Sequence, residues 1–340
     1  MTGAFVLLTA LPPTVGHLQL IRFAAELEDE VHVLVCTQPG EPYPVERVEA
    51  VVRAARDCPG VRVHGFHRTV PQEPGDAPDF WPMWRTILRE HGFRDGDTIV
   101  ASEPYGAALA EAAGGTFIPY DMGRSITQVR AADIRRDPIG RFGEVLPEFQ
   151  PAMVRRITVF GAESTGKTTL SRRLAEALPG HWLPEWARPY LESLPTPAVD
   201  DHRMRVIWRA QRALQRSATR LRGRAFIVQD TDLFATVGFW EAWDPGAVPE
   251  ELRADAAANR SDLYLLTRSD IPFQPDPLRY GGEARETTDA FWMDLAQRYG
   301  LPYQVIRSTS PEDRLAEARE LAVEHFHRTV PISFKRQGSH

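Results

Sequence analysis

The sequence predicts an α/β protein with two parallel-sheet domains in tandem. Three observations predict it. Short apolar runs alternate with helical patterns through the first 135 residues, the stretch DPIGRFGEVLPEFQP at 137–151 breaks the alternation, and the alternation then restarts. Alternation of strand and helix at this spacing reads as βαβ units and hence as parallel sheets. At 340 residues the chain is long enough for two cores. The expected division is a first domain at 1–136, a linker at 137–152, a second domain at 153–332 and a tail at 333–340.

In the first half the strands expected are 4–9, 31–36, 61–65, 98–101 and 116–119, with helices at 17–28, 44–57, 83–91 and 104–113. In the second half they are strands 156–160, 225–229, 262–266 and 303–306. The helices expected there are 166–178, 185–194, 201–222, 232–243, 286–299 and 311–325. FHRTVP occurs at 66–71 and again at 326–331, but the flanks differ, so it is no repeat.

Composition excludes several classes. Apolar content of 43% and charged content of 25% are those of a soluble globular protein. No apolar run is long enough to span a membrane, and MTGAFVLL lacks the basic start of a signal peptide. Two cysteines, Cys36 and Cys58, make neither a disulfide framework nor a zinc site, which points to a reducing cytoplasm. A net charge of −6 argues against non-specific nucleic-acid binding. Only Lys167 and Lys335 are lysines, so the place of Lys167 carries weight.

The run Arg156-Ile-Thr-Val-Phe160 leads into Gly161-Ala-Glu163-Ser164-Thr165-Gly166-Lys167-Thr168, and Thr169 continues into a helical pattern. This is the phosphate-loop pattern G-x-x-x-x-G-K-[ST] in its strand–loop–helix context. Glycines let backbone N–H groups turn onto phosphate oxygens, and the helix N-terminus adds positive potential. Lys167 would reach the β- and γ-phosphates of ATP, and the Thr168 hydroxyl would ligate Mg²⁺.

A phosphoryl-transfer site also needs an acid beside the metal and a proton acceptor. Asp230-Thr-Asp232 ends a predicted strand, where such sheets bind ligands. Asp230 is the candidate for the Mg²⁺ shell. Asp232 either grips substrate hydroxyls or caps the following helix. Glu185 and Arg188, opening another helix, are candidates for general base and anion clamp, although a Glu there can merely oppose the helix dipole. Arg279 and Arg285 flank a Gly pair, which reads either as a charged lid or as a solvated loop. Trp240 is a candidate for ring stacking, or else a core residue.

Near the N-terminus, TALPPTVGHL joins the first strand to the first helix. Thr14, Gly16 and His17 there would meet a nucleotide with hydroxyl, bare backbone and imidazole. Ser125, Thr127 and Arg130 follow the last strand of this half and offer two hydroxyls and a guanidinium at a helix start.

The T-x-G-H turn, the S-x-T-x-x-R run and the trailing phosphate loop together resemble the NadR-type bifunctional proteins, which join a nicotinamide-mononucleotide (NMN) adenylyltransferase to a ribosylnicotinamide kinase. The resemblance covers nearly the whole chain and includes Ser102-Glu-Pro-Tyr-Gly106, Glu185-Trp-Ala-Arg188, Asp230-Thr-Asp232 and Leu265-Leu-Thr-x-x-Asp-Ile-Pro272. It implies a Rossmann-like nucleotidyltransferase domain, then a P-loop kinase domain. The first would convert ATP and NMN to NAD and pyrophosphate, and the second would phosphorylate nicotinamide riboside to NMN. Catalytic roles would fall to His17, Lys167, Glu185 and Asp230, and Trp81 or Trp84 would stack on the nicotinamide unless they bury their helix. Three departures stand out: Thr14 replaces the first His of H-x-G-H, Leu8 and Ala10 replace a Gly and a Phe of G-x-F-x-P, and the chain starts at the first strand. Some members carry a DNA-binding helix-turn-helix domain before that strand, so no DNA partner is expected. No membrane partner is expected either, and self-association is left open.

Overall fold

The computed structural model of the chain describes residues 2–71, 74–196, 200–272 and 287–329. It divides after Ala152 into two compact units, each carrying a five-stranded, fully parallel sheet. No helix among the described residues is long and apolar enough to cross a membrane.

The first unit runs β1 (Ala4–Leu8), α1 (Val15–Leu27), β2 (Val31–Thr37), α2 (Pro44–Ala54), β3 (Val61–His67), α3 (Phe80–Glu90), β4 (Thr98–Ala101), α4 (Tyr105–Ala113), β5 (Thr116–Pro119), α5 (Ala131–Arg136) and α6 (Gln150–Met153). Its strand order is β3-β2-β1-β4-β5. The side-chain period of two in β1 explains why helices cover both faces. Ala4, Val6 and Leu8 pack with Leu20 and Ile21 of α1 and Val51 of α2, whereas Phe5 packs with Trp84 and Leu88 of α3 and Leu109 of α4. Strand order reverses at β1, between β2 and β4, which is where open α/β sheets leave a crevice for ligands.

The stretch 137–152, expected as a linker, is instead folded into this unit. Val145 bridges Thr14, Leu146 N donates to Pro13 O at 2.9 Å, and Val145, Leu146 and Phe149 are buried. Its apolar residues lack a helical or strand period because they plug gaps around an irregular path, and periodicity cannot reveal that.

The second unit runs β6 (Arg155–Gly161), α7 (Lys167–Ala177), β7 (Gly180–Leu183), α8 (Ala187–Glu192), α9 (Asp201–Ala218), β8 (Phe226–Asp230), α10 (Leu233–Trp243), α11 (Glu250–Ala258), β9 (Leu263–Thr267), α12 (Asp289–Arg298), β10 (Tyr303–Ile306) and α13 (Pro311–Thr329). The order is β10-β9-β6-β8-β7, with the phosphate-loop strand at the centre. On one face Phe160, Tyr264 and Leu266 pack against Trp208 of α9, Trp240 of α10 and Trp292 of α12. Gly238 permits this packing, because a Cβ there would stand 2.6 Å from the Trp292 ring. On the other face Phe226 meets Phe326 of α13 edge-on at 5.4 Å.

Trp240, a candidate for ring stacking, therefore belongs to the core: it is 0% exposed in the middle of this cluster. The apolar helix α10 buries Trp240 because so large a ring removes much apolar area from water.

Candidate functional site

In the second unit, β6 delivers the chain to Gly161 with φ +138°, a conformation suited to glycine, and a Cβ there would lie 2.5 Å from Thr267 O. Gly166, at φ +77°, caps α7, so the loop 162–166 wraps around the helix N-terminus. Thr165 Oγ1 lies 2.8 Å from Ala162 O and 2.7 Å from Thr267 Oγ1, which ties the loop to the end of β9. The Lys167 ammonium lies over the loop, donating to Gly161 O at 3.1 Å and Ala162 O at 2.7 Å. Glu163 is turned inward, where its Oε2 accepts from Thr287 Oγ1 at 3.0 Å.

Thr168 Oγ1 donates to Asp230 Oδ2 at 2.5 Å, so the first turn of α7 and the end of β8 meet as a hydroxyl–carboxylate pair. Thr231, with φ +67°, is a strained β-branched residue that turns the chain between the two acids. Asp230 consequently faces Thr168, while Asp232 turns away into α10. Hard oxygen donors of this kind suit Mg²⁺, which keeps one or two protein ligands and takes the rest from phosphates and water. Among the described residues no group of three His, Cys, Asp or Glu could hold an ion unaided.

Asp232, a candidate for substrate hydroxyls, is 1% exposed and fully engaged. Its Oδ1 caps α10 by accepting from Ala235 N at 3.0 Å, and its Oδ2 accepts from Tyr264 OH at 2.7 Å. Burial pushes its carboxyl up to about 6, although the Tyr264 hydroxyl and helix amides pull the other way. The helix-cap role is the one the structure gives it.

A cavity of about 580 Å³, within the usual range for a small-molecule site, opens over this loop. Ser164, Thr165, Gly166, Lys167, Thr168 and Thr169 form its floor, and Glu185 and Arg188 stand on its wall. The unanticipated strand β7 brings Glu185 here by pairing with β8, and Trp186 N donates to Gln211 Oε1 at 3.2 Å to fix the turn that follows. Arg314 of α13 also lines the cavity, a residue absent from the sequence-based candidates. Arg279 and Arg285 lie outside the described residues.

In the first unit a cavity of about 670 Å³ lies over β1 and β4 at the order reversal. Thr14, Gly16, His17, Thr127, Arg130, Trp81 and Trp84 all line it. Thr14 is the N-cap of α1 and forms a reciprocal box with His17. His17 N donates to Thr14 Oγ1 at 3.3 Å, and Thr14 N donates to His17 Nδ1 at 3.0 Å. Because Nδ1 accepts an N–H, the network assigns the ring proton to Nε2. Desolvation, then the nearby Arg124 and Arg47 charges, lower the His17 pKa to about 4, so the ring is neutral at pH 7.

Ser125 is exposed and does not line the cavity; its Oγ donates to Asp121 Oδ1 at 3.2 Å. The same carboxylate gathers Ser125 N at 2.7 Å and Thr127 N at 2.8 Å, which shapes the 121–127 loop. Desolvation would raise the Asp121 carboxyl, but the amides of Ile126, Thr127 and Ser125 outweigh it and hold the group low. Trp84 is 7% exposed and donates Nε1 to Pro71 O at 3.3 Å, so Trp81 offers the more accessible ring.

Several site residues lie beyond any motif. Arg124 pairs with Glu103, and Arg135 donates to Leu11 O at 2.6 Å beside the Thr14 turn. Arg47, 0% exposed, donates to Glu41 at 2.6 Å, to Cys36 O at 3.1 Å and to Thr9 O, gathering the ends of β1 and β2. In sequence Arg47 is merely one of many arginines on a helical pattern, and nothing local marks it as buried.

Comparison with known proteins adds to this geometry. A family model described as an AAA domain matches residues 156–314. The trifunctional NAD biosynthesis/regulator protein NadR of Salmonella typhimurium is 23% identical, and the match covers 92% of this chain and 80% of that protein. Its counterpart from Escherichia coli K12 is 24% identical over the same shares. The fold is shared with a NadR protein solved with NAD and AMP-PNP (TM-score 0.67, 20% identity, 99% of this chain and 98% of that one). A NadR structure with NR matches at TM-score 0.69 with the same identity and coverage. The chain is thus similar to NadR proteins over 92% of its length in sequence and 99% in fold.

Proposed function

We propose that the second unit phosphorylates nicotinamide riboside with ATP and that the first unit joins the resulting NMN to AMP from a second ATP, giving NAD and pyrophosphate. The observation that carries the proposal is the Thr168–Asp230 contact of 2.5 Å beside a lysine-bearing phosphate loop, in a chain similar to NadR over 92% of its length.

In the kinase step the riboside 5′-oxygen attacks the γ-phosphorus in line as the bond to the β-phosphate oxygen breaks. Lys167 and the loop amides hold phosphate oxygens, Glu185 accepts the hydroxyl proton, and Arg188, Arg279 and Arg285 meet the remaining charge. Thr168 and Asp230 would hold Mg²⁺, which neutralises phosphate charge when bound. In the adenylyl transfer an NMN phosphate oxygen attacks the α-phosphorus of ATP and pyrophosphate leaves. The attacking phosphate is already anionic, so the unit needs orientation and charge stabilisation, not a base. His17 Nε2–H, Thr127 and Arg130 supply donors, Ser125 orders their loop, and Trp81 offers a face to the nicotinamide.

A second reading keeps the kinase and makes the first unit a nucleotide-binding domain. The position of Thr14 favours it: the side chain is 2% exposed and engaged with His17, leaving one imidazole where H-x-G-H proteins have two. Two incubations separate the readings. Riboside with Mg-ATP is expected to yield NMN and ADP in wild type, and Lys167→Ala is expected to lower that rate at least about a hundredfold. NMN with Mg-ATP is expected to yield NAD; NMN formation without NAD formation would establish the second reading. ATP binding with no riboside-dependent ADP would contradict the kinase assignment and leave a nucleotide sensor.

A further inference from the structure

Arg314 stands in the first turn of α13, far along the chain from the phosphate loop it touches. It is 6% exposed, and its Nη2 donates to Thr165 O at 2.7 Å inside the protein. Its Nη1 comes within 3.4 Å of the point where a Cβ on Gly166 would stand. The guanidinium lines the kinase-side cavity, and among the described residues its buried Nε has no hydrogen-bond partner. Desolvation works against this cation, and the charges of Asp270 and Glu317 offset it only in part, so its position asks for a reason beyond packing.

The geometry of the peptide unit supplies one. In a trans peptide the C=O and the following N–H point in opposite directions. Holding Thr165 O against α13 therefore holds Gly166 N–H on the opposite side of the loop. Gly166 sits at φ +77° and has no Cβ, so rotation of the 165–166 peptide meets little steric resistance from the loop itself. A donor that grips the carbonyl is what opposes such a flip. A flipped peptide would present an oxygen to phosphate in place of an amide.

We propose that Arg314 is a positioning residue for nucleoside triphosphate binding: it locks the Thr165–Gly166 peptide so that the phosphate loop presents N–H groups, and it couples the loop to α13. The inference rests on the reading of this loop as a triphosphate site, not on which acceptor is phosphorylated.

The test is hydrogen exchange of the peptide spanning 161–170 in the full chain, titrated with Mg-ATP, for wild type, Arg314→Met and Arg314→Lys. Wild type gains protection on binding. Arg314→Met is expected to need about tenfold more Mg-ATP for half-protection, with Arg314→Lys intermediate at about threefold. Exchange of α13 without nucleotide reports whether the helix has detached; if the Met variant fails to fold, the Lys variant decides. Identical Mg-ATP dependence in the folded variants overturns the proposal, because a purely structural brace would lower stability without moving the midpoint. A wild-type loop that is protected by Mg-ATP while no riboside is consumed would count against the kinase proposal alone.

Discussion

At the scale of single residues, His17 is where chemistry and folding meet. Its Nδ1 is used by the helix cap, so the ring presents Nε2–H to the cavity, and desolvation with two neighbouring arginines lowers its pKa to about 4. The folded pKa lies below the ordinary value of 6.5, so the unfolded chain binds the proton more readily between the two. The stability this residue contributes is complete above pH 6.5 and is lost as pH falls through 4. Imidazole ¹⁵N titration is expected to find a neutral Nε2–H tautomer at pH 7 and a midpoint near 4. A midpoint near 6.5 would leave about a quarter of the rings charged at pH 7 and would contradict the desolvated, neutral donor. Thr14, in turn, reads in sequence as a substituted catalytic histidine but in the structure as the cap that orients the remaining one. T-x-G-H was legible as the turn that opens α1; the box between its first and last members was not, because it depends on backbone geometry.

At the scale of the elements, the DTD run divides its labour through a turn at Thr231. Asp230 ends β8 toward the phosphate loop, and Asp232 starts α10 from inside the core. If Asp232 is a structural cap, Asp232→Ala should lower the unfolding free energy by about 2–3 kcal/mol, since it leaves a helix amide and the Tyr264 hydroxyl unsatisfied. Urea unfolding measures this, and unchanged stability with a raised riboside KM would restore the substrate-binding role. The raised carboxyl has its own sign: the protonated form favours folding, with a contribution complete below the ordinary 3.8 and lost as pH rises through about 6. Long apolar strands and the phosphate-loop helix were legible because each carries its own period or motif. β7 is four residues beginning with Gly180, and it exists because β8 offers it an edge. α11 has only Leu252 and Ala256 buried, too few to write a helical stripe. Both derive their stability from tertiary contacts, which a local pattern does not encode.

At the scale of the whole molecule, the chain repeats one design twice: a parallel sheet, a turn opening a helix beside the central strand, and a cavity lined by that turn. In each unit a buried arginine from a distant helix grips backbone carbonyls of that turn or strand end, Arg47 on Thr9 and Cys36, Arg314 on Thr165. The motifs were visible in the sequence, but their supports were not, since an arginine among 37 others carries no mark of burial until the fold closes around it. The two half-reactions are joined by chemistry, because the product of the kinase proposed for the second unit is the substrate proposed for the first. NAD formation from nicotinamide riboside and Mg-ATP therefore tests the central claim most directly. Wild type is expected to make NAD, Lys167→Ala and His17→Ala are each expected to be strongly impaired, and mixing the two variants should restore synthesis, since NMN made by one can be used by the other. No NAD from wild type, or no recovery on mixing two folded variants, would contradict the account.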